Sequence, residues 1–327
     1  MNQPKAAAKK VVSLILLLAV LVININCSNQ GDKLVVGVHS WPGGGPIYVG
    51  DVKGFFAEQG IDLQVLKIES FDTKRASLIA GEIDIDVAST MDQLLIYNNA
   101  GFDAQVFLVS DQSTGGDGIV AKSNIQSIQD LKGKTIAYAE ASPSDFFMRF
   151  ILKQQGISID SVSLSPVADP QIAGNAIIAK QVDAAVTYEP WLSQASETDG
   201  LQLLVTTEEY PNLIPGLMIA SKQRLNEKED LFRRFVTAWY KSVDYYYQNP
   251  EEAKQIMSEG MELEVSEVES ILDTIRILDK PGNDEMFNAS ITDNLFDLVG
   301  DISTFWLENE YIESSFSGTD LVNDSFK

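Results

Sequence analysis

The stretch LIAGEIDIDVAST at 78–90 returns 99 residues further on as IIAKQVDAAVTYE at 177–189. Each copy reads as the end of an amphipathic helix, a turn, and a short β-rich run, Asp84–Ala88 in the first and Ala184–Thr187 in the second. A second echo runs in the same order: EQGIDLQVL at 58–66 and QQGISIDSVSL at 154–164. Two matches in one order predict two lobes of similar build.

Working outward from the repeat, short strands alternate with helices. Leu34–His39 reads as a buried strand, broken at Gly43–Pro46. Ile47–Gln59 follows as a helix with Tyr48, Val52 and Phe55 or Phe56 on one face, closed by Gly60. Ile61–Ile68 is the next strand, Thr73–Ala80 a helix, and Val106–Val109 a further strand. The middle repeats the scheme: strand Thr135–Ala139, helix Asp145–Gln155, strand Ser161–Leu164, helix Pro170–Lys180. This βαβ order predicts an α/β fold, each lobe a mostly parallel sheet flanked by helices. Gly118–Lys122 and Leu217–Lys222 read as two crossings, a two-strand hinge. Lobe one is then 34–117 with 222–327, and lobe two is 118–221. Beyond Lys228 the chain reads as helices (Leu231–Gln248, Pro250–Gly260, Ser266–Leu278, Ser290–Asn309) packed on lobe one.

In open parallel sheets ligands sit beyond the carboxyl ends of the strands. The residues there are Ser40 and Trp41, then Ser89 and Thr90, then Asp111, Ser113 and Asp117 in the first lobe. In the second they are Ser142 and Ser144, then Tyr188, Glu189 and Trp191. These are hydroxyls, aromatics and carboxylates, with helix N-termini following several of the turns. Each also has a purely structural reading. Ser142-Pro143-Ser144-Asp145 is a good helix start. Asp111 and Asp117 suit the turn amides of DQSTGGDG. Trp191 fits the buried first turn of a helix. Glu189 aligns with Thr90 in the repeat, which favours a place at the cleft.

The first residues read as an export signal. Lys5, Lys9 and Lys10 precede an apolar run, Val11 to Ile23, too short for an ordinary membrane span. Residues 1–26 are expected to be removed and 27–33 to act as a tether. Cys27, the sole cysteine, stands where a lipoprotein carries its lipid, although Asn24 and Asn26 depart from the usual pattern. The protein is thus expected outside the cytoplasm, anchored to a membrane through Cys27. Roughly 300 residues remain, enough for two lobes. One cysteine excludes an internal disulfide. The net charge of −23 disfavours nucleic acid and anionic membrane surfaces.

Five segments carry a family resemblance: GVHSWPGGGPIYVGDVKGFFAEQGIDLQV (37–65), AGEIDIDVAST (80–90), DQSTGGDGIVAK (111–122), DLKGKTIAY (130–138) and KQVDAAVTYEPWLSQA (180–195). In them the chain resembles the solute-binding proteins of the nitrate/alkanesulfonate/taurine/thiamine-precursor importer group. That resemblance implies a type II periplasmic-binding fold, a ligand held between the lobes, and delivery to an ABC permease and its ATPase. The carboxylates and aromatics at the strand ends predict a small, nitrogen-containing solute of positive charge, guanidinium or an amine. The alternative is one of the group's anions or a thiamine pyrimidine precursor, with Lys74 and Arg75 the cations placed to reach it.

An enzyme would need residues that are scarce here. The one histidine, His39, stands without a nucleophile elbow around any serine. The glycine-rich runs lack the Lys-Ser/Thr of a phosphate loop. Thiamine-pyrimidine synthases of the same fold carry a cysteine-rich motif absent from this chain. The expectation is a monomeric binding protein with no cofactor and no metal; a sensory lipoprotein or a hydrolase are the other classes.

Overall fold

The computed structural model describes residues 32–292 and 294–327. The signal segment, Cys27 and most of the tether lie outside the described residues.

The chain opens with β1 (Asp32–Val38), α1 (Pro46–Val52), α2 (Phe55–Glu58), β2 (Ile61–Lys67), α3 (Phe71–Ala80), β3 (Ile85–Ser89), α4 (Met91–Asn99) and β4 (Ala104–Ser113). The helix expected over 47–59 is two helices, because Gly54 takes a left-handed φ of 75° between them. The chain then builds β5 (Asp117–Lys122), β6 (Thr135–Ala139), α5 (Pro143–Gln154), β7 (Ser163–Val167), α6 (Pro170–Ile178), β8 (Ala184–Tyr188), α7 (Trp191–Ser196) and β9 (Leu201–Thr206). It returns through β10 (Pro215–Ser221), α8 (Lys222–Glu227), α9 (Glu229–Gln248), α10 (Pro250–Met261), α11 (Val265–Leu272), β11 (Ile275–Ile277), α12 (Lys280–Met286), α13 (Leu295–Glu308) and α14 (Gly318–Leu321). The helix expected over 266–278 stops at Leu272, and the apolar residues after it form β11 on the edge of a sheet.

Two sheets result. The first has six strands in the order β11-β4-β10-β3-β1-β2, and the second five in the order β7-β6-β8-β5-β9. In each, the repeated βαβ unit pairs in parallel, and further strands joined antiparallel complete the sheet: β10, β4 and β11 in the first, β5 and β9 in the second. The expected crossings move accordingly. Gly118–Lys122 is an ordinary strand of the second sheet, and Leu217–Ser221 belongs to β10, inside the first. β10 lies between β3 and β4, with Leu217 opposite Ser89 on one side and Val109 on the other. The chain therefore leaves the first lobe at 114–116 and returns over 207–214.

Burial explains the layers. Every residue of β4 is buried, as befits a strand covered on both faces. The amphipathic α9 turns Leu231, Phe232, Phe235, Trp239 and Val243 inward against α1 and α2, with Phe56 stacked on Phe235 at 5.4 Å. On the sheet's other face Leu94, Leu95, Leu295, Val299, Ile302 and Trp306 form a second core layer.

Candidate functional site

The strand-end residues divide into three groups. Ser40 and Ser89 turn away: Ser40 donates to Glu69 Oε1 at 2.6 Å, and Ser89 donates to Asp86 Oδ2 at 2.8 Å in the core. Asp86 also holds Lys74 Nζ at 2.7 Å and accepts from Tyr97 at 2.9 Å. Lys74 is fully buried in this pair, so it is not a free cation for a ligand. Arg75 is held by Asp72 and by Gln93 Oε1 at 2.9 Å. His39 packs on Phe71 and lies 3.1 Å from Lys74 Nζ; burial and then that lysine hold it well below its ordinary pKa.

A second group joins the lobes beside the crossings. Trp41, on the first lobe, meets the edge of Tyr188, on the second, at 5.9 Å, and Tyr188 meets Trp191 at 5.2 Å. Trp41 Nε1 donates to Asp111 Oδ2 at 3.0 Å, and Ser110 Oγ donates to Oδ1 at 2.7 Å. Asp111 fits only because its neighbours are glycines: a Cβ on either Gly43 or Gly216 would stand 2.0 Å from Oδ1. Asp111 and Ser113 lie within β4, not in a turn after it, because the strand runs four residues beyond Val109. Ser113 Oγ shares a 2.7 Å hydrogen bond with Thr207 Oγ1, tying the outgoing crossing to the returning one. Glu189 accepts from Ser193 N at 3.2 Å and Ser193 Oγ at 2.8 Å, on the first turns of α7. Asp117 is buried near both other carboxylates; burial first, then Asp111 and Glu189, push it up to about 7.

The three carboxylates expected to receive a cation are thus engaged otherwise. Asp111 is filled by Trp41 and Ser110, Glu189 binds a helix start, and Asp117 sits near half-protonation at neutral pH.

The third group faces a small, partly open pocket where the two lobes meet. The first lobe contributes Thr90, Met91 and Asp92 at the start of α4, and the second contributes Ser142, Pro143 and Phe146 at the start of α5. Leu213 and Ile214 of the return crossing, Pro215 at the start of β10, and Ile302 and Trp306 of α13 complete the wall. Neither N-cap, Thr90 or Ser142, spends its side chain on its own helix. Ser142 Oγ donates back to Ala139 O at 2.7 Å. Thr90 Oγ1, Asp92 Oδ1 and Trp306 Nε1 are buried without a hydrogen-bond partner among the described residues, as is Ser144 Oγ on the first turn of α5. Burial raises Asp92 to about 6, so it is an acceptor at neutral pH and gains a donor only as pH falls below that value. Of the expected residues, the pocket gathers Thr90 and Ser142. Asp92, Phe146, Ile302 and Trp306 were not expected. Asp92 carries a weak signal, an acid in the first turn after a strand; Trp306 has none.

The comparisons with known proteins agree in fold. The family described as NMT1/THI5 like matches residues 41–253. A Bacillus subtilis (strain 168) protein named as an aliphatic sulfonates-binding protein is 24% identical, covering 96% of this chain and 95% of its own. The crystal structure of the periplasmic aliphatic sulphonate binding protein SsuA from Escherichia coli superposes with a TM-score of 0.71 at 16% identity, covering 87% of this chain and 94% of that one. The periplasmic nitrate-binding protein NrtA from Synechocystis PCC 6803 gives 0.55 at 17% identity, over 73% and 69%. The likeness to the solved structures is one of architecture: two lobes in the type II periplasmic-binding fold.

Proposed function

The chain belongs to the NMT1/THI5-like family, and on that premise we propose that it is the solute-binding component of an ABC-type importer, holding a small sulfonate-type anion between its lobes. The observation that carries the anion is the pairing of two helix starts, α4 and α5, across one pocket, with neither N-cap side chain spent on its own helix. Such starts present unpaired amides and the positive end of the helix dipole. Thr90 and Ser142 add hydroxyls to the lining. Met91, Pro143, Phe146 and Ile302 offer an apolar bed for a short carbon chain. The name of the Bacillus subtilis relative supports the same class. The guanidinium or amine expected from the sequence loses its support, since Asp111 and Glu189 are already bonded within the protein.

In this reading the solute docks on one lobe and the other closes over it, presenting the closed form to a permease and its ATPase. The signal segment and Cys27 would deliver the protein outside the cytoplasm and hold it at a membrane. Capture leaves the solute unchanged.

A thermal-shift and calorimetric panel of methane-, ethane- and butanesulfonate, taurine, nitrate, guanidinium and methylamine tests the proposal. One or more sulfonates should raise the melting temperature, by mass action on the folded form. The Asp92 carboxylate repels an anion when charged, so sulfonate affinity should rise as pH falls through about 6. Protection by guanidinium or methylamine alone would reverse the assignment.

A further inference from the structure

We propose that Trp306 is a solute-binding residue and that the segment from α13 to Tyr311 is a clasp that completes the site. This rests on the reading above, a solute held between the lobes. The family match ends at residue 253, so α13 lies well outside it. Yet Ile302 and Trp306 form one wall of the pocket shared by the starts of α4 and α5.

Trp306 buries all but 1% of its surface, and its Nε1–H has no hydrogen-bond partner among the described residues. An indole N–H is a donor only, and leaving it unpaired in the interior is costly. Trp239 also lacks a partner, but it sits in the apolar core of the first lobe under α9. What distinguishes Trp306 is its place: it lines the pocket together with the two helix starts, whereas Trp239 does not. An unpaired donor beside that pocket matches the need of an oxyanion. The missing partner of the indole is supplied by the solute.

The same segment fastens the second lobe. Tyr311 Oη donates to Asp145 Oδ2 at 2.8 Å, and Arg149 Nη1 donates to Asn309 Oδ1 at 2.9 Å. Phe305 meets the ring of Phe146 at 5.2 Å in an edge-on contact. Asp145, Phe146 and Arg149 all lie on α5, whose start forms the second lobe's side of the pocket. Residues of α13 and just beyond it therefore touch both the pocket and the lobe that closes over it, and Tyr311 itself meets the ring of Trp306 at 4.8 Å, tilted by 54°. A bound solute that engages Trp306 would steady this contact and, through Tyr311, its bond to the second lobe.

Trp306→Phe keeps an aromatic ring and removes the N–H; Tyr311→Phe keeps the ring and removes the bond to Asp145. Affinities of the wild type and both variants are to be measured by calorimetry for every member of the panel above, with urea denaturation of each solute-free protein. Trp306→Phe should bind the best wild-type solute roughly tenfold more weakly, the worth of one hydrogen bond to a charged group. Tyr311→Phe should bind it several-fold more weakly. Solute-free Trp306→Phe should lose some stability to the space its smaller ring leaves in the core, so the affinity measurement is made under conditions where the variant is folded. Wild-type affinity in Trp306→Phe overturns the assignment of Trp306, and wild-type affinity in Tyr311→Phe overturns the clasp. If Trp306→Phe fails to fold, Tyr311→Phe decides alone. A wild type that binds nothing in the panel removes the proposed function itself, and this inference with it.

Discussion

Asp111, Asp117 and Glu189 represent three fates of a buried carboxylate. Asp111 is satisfied by two donors and walled by two glycines. Glu189 is drawn to the amide and hydroxyl of Ser193. Asp117 is pushed up from 3.8 to about 7 by burial and by the other two acids. That shift has a sign for stability. Between 3.8 and about 7 the folded protein keeps a proton that the unfolded chain has released, so this group makes stability fall as pH rises across the window and adds no further slope above it. Asp117→Asn should flatten the fall and leave the variant more stable than the wild type at pH 8. Urea denaturation from pH 5 to 8 checks this; parallel profiles for the two proteins would remove Asp117 from the account. At this scale a linear reading lists residue types and does not show which of them are already bonded within the protein. The N–H of Trp41 and the space beside Gly216 come from segments 70 and 105 residues from Asp111, and a linear reading does not bring them to its carboxylate.

The elements were more legible than their ends. The strands of both repeats stand close to where apolar runs between turn residues put them, because buried strands need such runs wherever they pair. β10 was misread as a crossing for a physical reason: a strand entering a sheet antiparallel and a strand linking two lobes have the same short apolar pattern. Only its pairing between β3 and β4 separates them. The true crossings, 114–116 and 207–214, hold no long apolar run. Their geometry depends on Thr207, whose Oγ1 meets Ser113 Oγ at 2.7 Å and accepts from Gly115 N at 2.9 Å. Thr207 is fully buried, so its hydroxyl is well placed to act as a joint between the two crossings. Thr207→Val keeps the shape and deletes those bonds. It should cost about 1–3 kcal/mol of stability, since Gly115 N and Ser113 Oγ lose a partner in a buried place. Chemical denaturation measures the loss, and a cost within error of zero would mean the crossings do not rely on this hydroxyl.

At the scale of the molecule, the two lobes touch at two separate contacts: Trp41 on Tyr188, and Phe146 and Asp145 on the C-terminal segment. Closure is an equilibrium, and each contact made only in the closed form weights it. An edge-on aromatic pair such as Trp41–Tyr188 contributes about 0.5–1.5 kcal/mol beyond its buried area. Tyr188→Leu keeps an apolar side chain at the end of β8 and removes the ring that bridges the lobes. The closed population should fall by roughly twofold to tenfold, and apparent affinity by the same factor, because a solute that binds the closed form must first restore it. Two measurements read this from different sides. Small-angle scattering of the solute-free variant should give a larger radius of gyration than the wild type, and saturating solute should bring the two together. Calorimetry should show weaker binding with lobe stabilities unchanged. A variant that scatters and binds as the wild type does would mean that closure rests on the C-terminal clasp alone. In that case Tyr311→Phe would be the variant that opens the cleft.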